Sequence, residues 1–528
     1  MLMLRSSFSL NSVACAVLCI AATSGAQVRV EPSPPAAAGA WSPANVIDSC
    51  VLASLEKHGI RPALACSDEV FVRRVYLDVI GTPPQPSETL EFLNDTRPDK
   101  RAALIDALLK RDEFADYWSL NWCDLLRVKS EFPINLWPNA VQAYHRWIHV
   151  AVRENMPYDQ FARELLTSSG SNFRVPQVNF YRAAQGRDSD SIAEAVALTF
   201  MGTRLENWPA ADRAGMAAFF SRVAYKKTAE WKEEIVYLNP APADVITAVF
   251  PDGTKALIQP DLDPRQVFAD WLIRPENPWF TRNIVNRAWS WFMGRGIINE
   301  PDDIRTDNSP VNPELLDALE KEMVRGRYDM RRLFRLILNS RTYQQSSMAA
   351  SDDPRTNTLF ARYPIRQLKA EVLIDMLCAI GGVGEEYSSA IPEPFTYMPK
   401  RQRSIMLADG SITSPFLEMF GRPARDTGLE SERNSRPSGA QQMYLLNSND
   451  IQRRIERSPV LMSMLRSVKW NRAEAIRHLY LILLSRYPTK AEAETADKYF
   501  QAPGTTFKGN FDDLAWALIN SKEFLYRH

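Results

Sequence analysis

Glu300-Pro301-Asp302-Asp303-Ile304-Arg305, with Asp307 and Asn308 just beyond, is the densest polar cluster in the chain. Adjacent carboxylates beside an arginine can ligate a divalent cation such as Ca²⁺, or one can be held protonated as a general acid. The same residues also suit a capped loop, with the acids at a helix N-terminus and Arg305 as their partner. Asp302, Asp303 and Arg305 are therefore candidate catalytic residues, with Glu371 further along the chain, and both readings stay open.

The segment before the cluster carries Asn286-Arg287, Trp289-Ser290-Trp291 and Arg295 at close helical spacing. Tryptophan and arginine so placed can offer a stacking platform for sugar rings or another planar ligand. An aromatic-rich core helix needs the same residues. Asn286, Arg287, Trp289, Trp291, Arg295, Asn308 and Arg366 are the candidate ligand-binding residues. Arg366, Glu371 and Asp375 share a helical stretch, Arg366 to Ala379, that could face the acidic loop or serve structural ion pairs.

His145 and His149 have the i, i+4 spacing of two metal ligands, but no glutamate completes the usual pattern. The pair reads first as packed or solvent-facing. Five histidines in 528 residues also weaken any Ser-His-Asp arrangement, and there is no Gly-x-Ser-x-Gly elbow. Neither a Walker loop nor a Gly-x-Gly-x-x-Gly is present.

The elements that must position these residues read as mainly α-helical. Helical faces recur from Val46, then over Val70 to Ile80, Asp99 to Lys110, Glu113 to Arg127, Asn139 to Glu154 and Tyr158 to Thr167. The rhythm breaks between Glu234 and Asp263, where β-rich runs flank the turn Pro251-Asp252-Gly253 and predict a β-hairpin. Helices resume at Pro264 to Ile273, Phe280 to Met293, Pro313 to Val324, Met330 to Ser340 and Gln441 to Leu446. Residues 381–440, rich in Gly, Pro, Ser and Arg, read as a long irregular segment of the kind that is functional or mobile. An internal echo pairs VYLDVIGTPPQPSETLEFL near Tyr76 with LYLILLSRYPTKAEAETADKYF near Tyr480. Each copy leads to a similar helix end, ALLKRDEF at Phe114 and ALINSKEF at Phe524.

At this length one compact core is too few, which predicts two or three domains. Lysine plus arginine and aspartate plus glutamate both number 63, and a neutral balance argues against nucleic acid as a partner. Arg5, the apolar run Val13 to Ala22 and Ser24-Gly25-Ala26 read as a secretory leader over residues 1–26. Residues 27–43 follow as a Pro/Ala-rich linker. No later segment is apolar for long enough to span a bilayer, so the processed protein is expected to be exported, in the periplasm or outside the cell. Cleavage leaves Cys50, Cys66, Cys123 and Cys378. Export permits a Cys50–Cys66 disulfide, and buried free thiols are the alternative.

Several long strings resemble a paired family. FVRRVYLDVIGTPPQPSE, DEFADYWSLNWCDLLR, ENMPYDQFARELL and GMAAFFSRV are similar to the planctomycete cytochrome-like domain, a domain of unknown function numbered 1549. PRQVFADWLIRPENPWFTRNIVNRAWSWFMGRGI, EPDDIRTDNSPVNPELLDAL, FGRPARD, QMYLLNS and INSKEFLYRH resemble its C-terminal companion, domain of unknown function 1553. The resemblance implies exported proteins, many with Cys-x-x-Cys-His shortly before a segment like GMAAFFSRV. Here Leu205-Glu206-Asn207-Trp208-Pro209 and Ala210-Ala211-Asp212 stand in that place, so no haem is expected.

The expected architecture is a helical domain over 44–233, a β-ribbon linker over 234–263 and a second helical domain over 264–528. The expected role is a haem-less binding or accessory protein of the cell envelope, with a ligand groove at the domain junction. Polysaccharide is the first candidate ligand and an envelope protein another. The alternative is a hydrolase or lyase acting on polysaccharide through Asp302, Asp303 and Glu371, with a divalent cation possible.

Overall fold

The computed structural model describes residues 41–241, 244–398, 401–434 and 436–528. The expected leader, and the linker up to residue 40, lie outside the described residues. Helix accounts for about 53% of the chain and strand for about 6%, the mainly α architecture that the helical periodicity predicts. No helix among the described residues is long and apolar enough to cross a membrane.

One contiguous apolar core links the two halves of the chain. Trp118, on the helix Asp112–Leu125, packs 4.3 Å from Phe334 and 5.4 Å from Phe292, ring centroid to centroid. Such aromatic contacts contribute about 0.5–1.5 kcal/mol each beyond the area they bury.

The tryptophan helix runs Phe280–Met293 and stops at Gly294, whose φ is +72°. Glycine fits there for a second reason. A Cβ at Gly294 would come within 2.4 Å of the Arg366 side chain, which donates to the carbonyls of Trp291 and Phe292 and so caps the helix C-terminus. Arg366 itself is not helical. It pairs with Arg527 in a two-residue antiparallel ladder, Arg366–Gln367 against Tyr526–Arg527, and the expected helix begins later, as Ala370–Gly381.

The β-rich stretch forms two small sheets rather than one ribbon. Ile246–Val249 and Lys255–Ile258 make the hairpin predicted around Pro251-Asp252-Gly253. Glu234–Leu238 instead pairs antiparallel with Val223–Lys227 and with Gly170–Ser171, both earlier in the chain. Glu234 is anchored there by Arg182 and Arg187, at 3.0 and 2.6 Å.

The internal echo is a repeated packing unit. Arg111 bridges Glu88 and Glu113, at 2.6 and 2.5 Å, while Arg486 bridges Glu492 and Glu523, at 2.8 and 2.6 Å. Glu88 and Glu492 each accept from the backbone N–H that opens their helix, Gln85 and Thr489, as half of a capping box. Tyr76 and Tyr480 lie beneath the two guanidinium groups.

Candidate functional site

Four segments bring charged and aromatic side chains to one cleft that opens to solvent. The helix Asp112–Leu125 supplies Asn121 and Asp124, and Phe280–Met293 supplies Arg287 and Trp291. Lys369 stands at the start of Ala370–Gly381, and the segment 423–433 closes the cleft with Glu430, Glu432 and Arg433.

Arg287 is buried and lies 2.5 Å from the Asp302 carboxylate, which is buried too. Its Nη2 also donates to the Leu198 carbonyl, in the π-helical turn Ala197–Met201. The other Asp302 oxygen accepts the Glu430 backbone N–H at 2.6 Å. Asp302 thus fixes the loop that carries Glu430.

Arg433 lies between two acids: it donates to both oxygens of the buried Glu371, at 2.7 and 3.0 Å, and to Asp124 at 2.6 Å. Arg422 approaches Glu371 at 3.6 Å, and Arg425 reaches Asp124 at 2.8 Å. Burial alone would raise the Glu371 carboxyl, but the Arg433 charge and hydrogen bonds, with Arg422 behind them, hold it down to about 2. Glu432 turns inward on its own loop, accepting from the Asp426, Thr427 and Gly428 N–H groups.

The described residues of 381–440 are therefore held through ion pairs. FGRPARD supplies Arg422 and Arg425, whose buried guanidiniums also donate to the carbonyls of Asp409 and Ala408. Lys129 meets Asp426 at 2.6 Å, and Ser130 N–H donates to Asp409, fastening the segment to the N-terminal half.

The remaining sequence-nominated residues are placed as follows. Asp303 pairs with Arg305 at 3.0 Å, and Arg305 reaches Asp307 at 3.2 Å, an outer network. Asn308 donates to the carbonyls of Asn299 and Asp303 and so knits the loop. Asn286 exchanges two hydrogen bonds with the Ile298 backbone. Trp289 is fully buried, edge-on to Phe360, while its neighbour Trp291 is half-buried and reaches the cleft. Trp118 and Trp122 back Trp291 at 5.3 and 5.8 Å and line a second, apolar cleft. Arg295 donates to the Thr358 hydroxyl. Asp375 caps the turn at Ser404 and does not face the acidic loop.

Cys50 and Cys66 do not pair. Their thiols are free, as are those of Cys123 and Cys378. Cys50 faces the Glu314 carbonyl and Cys66 lies beside Arg101, contacts that hold the two sulfurs on different neighbours. His149 meets Asp116 at 3.0 Å, and burial pushes the His145 imidazole down to about 3. Among the described residues no group of three His, Cys, Asp or Glu side chains gathers to hold a metal ion.

The stretch after the π-turn contains neither cysteine nor histidine from Gly202 to Asp212, so its donor set does not fit a covalently attached haem. It does adjoin the acidic loop. Gly202, at φ +64°, accepts the Ile304 N–H, and Arg204 meets Glu300 at 3.3 Å.

Sequence reasoning missed Asn121, Asp124, Lys369, Glu430 and Arg433. One signal could have found them: the run of arginines and acids from Arg422 to Arg433 cannot be buried without partners, and so demanded opposite charges elsewhere.

Residues 46–224 match the family PSCyt2, a protein of unknown function (DUF1549), and residues 264–500 match PSD1, a protein of unknown function (DUF1553). No curated protein and no solved structure matches the chain.

Proposed function

The chain belongs to the family that places a PSCyt2 segment before a PSD1 segment, and from that premise we propose that it is an exported, haem-less binding protein of the cell envelope. Its ligand site is the cleft between Trp291, Asn121, Lys369 and Glu430, and the ligand is a segment of polysaccharide. The observation that carries this reading is the convergence of a half-buried tryptophan with polar groups from three separate elements on one open cleft. Sugar binding calls for that combination, an aromatic face for the ring and directional donors and acceptors for its hydroxyls.

The hydrolase or lyase reading draws less support through the acids nominated for it. Asp302 and Glu371 are saturated by arginines and Asp303 pairs outward with Arg305. A reaction in this cleft would fall to the groups left unpaired.

Binding to a glycan array tests the proposal. Wild-type protein is expected to retain a defined set of polysaccharides and Trp291→Ala to lose them while its circular dichroism is kept. Binding that is absent, or unchanged by Trp291→Ala, would falsify the reading.

A further inference from the structure

We propose that Lys369 is an amine nucleophile with Glu430 as its proton partner, so that the cleft condenses with the carbonyl carbon of an open-chain sugar or similar aldehyde. This rests on the carbohydrate reading of the cleft and adds a reaction to it.

The pairing pattern points there. Arg287 is occupied by Asp302, Arg433 by Glu371 and Asp124, Arg425 by Asp124, and Glu432 by backbone N–H groups. Lys369 and Glu430 are left: neither forms an ion pair within 4 Å among the described residues. The Lys369 ammonium donates to a neutral acceptor, Asn121 Oδ1, and lies 5.2 Å from the centre of the Tyr117 ring. It is also the N-cap of the twelve-residue helix Ala370–Gly381, where the helix dipole disfavours a positive charge.

The surroundings weigh the same way. Desolvation lowers the Lys369 pKa first, and the charges of Arg433 and Arg527 add to it, while Tyr117 and Asp124 oppose. Glu430 reaches solvent at the cleft mouth but is hemmed in by protein elsewhere. Its carboxyl is pushed up by desolvation and by Asp302, against Lys369, Arg287 and Arg433. An amine inclined to lose its proton thus shares the cleft with a carboxyl inclined to keep one.

The step balances. The Lys369 nitrogen lone pair forms a C–N bond to the aldehyde carbon, and the C=O π pair moves to oxygen, which takes a proton from the Glu430 carboxyl. The nitrogen then returns a proton to the Glu430 carboxylate. The C–O bond breaks as Glu430 protonates the hydroxyl again, and water leaves an iminium whose N–H proton is exchangeable.

The test incubates the full chain at neutral pH with D-glyceraldehyde and cyanoborohydride, which traps the imine, and follows each lysine by peptide mass spectrometry. Lys369 is expected to be labelled several-fold faster than the exposed Lys57 and Lys321. Glu430→Gln should slow Lys369 and leave Lys57 unchanged. Lys369 labelled no faster than the exposed lysines overturns the proposal, as does a Lys369 rate indifferent to Glu430→Gln. Methyl glycosides, which have no free aldehyde, separate this from the binding reading. If they bind through Trp291 while Lys369 is inert, only the nucleophile fails; if they do not bind while Lys369 reacts, only the ligand assignment fails.

Discussion

The Arg287 guanidinium lies 2.5 Å from the Asp302 carboxylate with both side chains about 1% exposed. This pair joins the tryptophan helix to the acidic loop and, through the Glu430 N–H, to the rim of the cleft. Asp302→Ala leaves a buried guanidinium without its counter-charge, and removing one partner of such a pair costs about 3–5 kcal/mol. Asp303→Ala removes only an outer contact to Arg305 and is expected to cost about 1 kcal/mol or less. Urea unfolding of the two variants measures the contrast. Equal losses would mean that Asp302 does not pin the loop.

Much of this was legible in the chain itself. Phe280–Met293 has the bounds that its periodicity and the following Gly294 predict, because burial pattern and C-cap are both local signals. The Pro251-Asp252-Gly253 hairpin is local in the same way. Arg366 reads as helical in the sequence but is extended in the fold, because its partner, Arg527, lies far off in the chain. The acidic cluster looked like one site, yet burial divides it: Asp302 goes inside with Arg287 and Asp303 stays outside with Arg305. Neighbouring residues on a loop can point opposite ways, and sequence spacing carries no information about which one is buried. The cleft needed Asp124 and Arg433 to meet across more than three hundred residues, a pairing fixed only by tertiary packing.

Trp289 and Trp291 are two residues apart on one helix and face different environments. Trp289→Ala empties a fully buried site and is expected to cost about 3–5 kcal/mol. Trp291→Ala should cost less stability and more ligand affinity, since one side of its ring opens on the cleft. Thermal melts paired with glycan binding check this. A Trp289→Ala protein that stays as stable as wild type would contradict the packing described.

Two acids on the helix Ala370–Gly381 titrate in opposite directions because their partners differ. Glu371, held down to about 2 against an ordinary 4.5, contributes stability that is complete above about pH 4.5 and is lost as pH falls through 2. For Asp375, burial dominates over the Ser404 and Ile405 amides and raises the carboxyl to about 6 from 3.8. Its contribution is complete below about pH 3.8 and is lost as pH rises through 6. Relative to Asp375→Asn, wild-type stability should therefore fall by roughly 3 kcal/mol between those limits. Glu371→Gln should remove the acid limb instead. Unfolding free energies measured across this range test both, and parallel curves for wild type and Asp375→Asn would refute the assignment.

Arg486 and Arg111 bridge matching glutamate pairs of the repeated unit, Arg486 from the place of Thr82 and Arg111 from the place of Ser521, and they differ in burial. The Arg486 side chain is 4% exposed and that of Arg111 33%. Without Arg486, Glu492 and Glu523 would be left facing each other with their shared cation gone. Glu523 is already raised by burial, and only the Arg486 hydrogen bonds and charge, helped by Arg73, offset that. Arg486→Ala is therefore expected to destabilise the protein by about 3–5 kcal/mol. Arg111→Ala exposes Glu88 and Glu113 to more water and should cost about 1–2 kcal/mol, near the range for partly screened pairs. Arg486→Lys should recover little, because one ammonium cannot bridge two carboxylates in the bidentate manner of Arg486. Chemical denaturation of the three variants reads the order directly. Equal effects of Arg111→Ala and Arg486→Ala would show that burial does not set the strength of the unit.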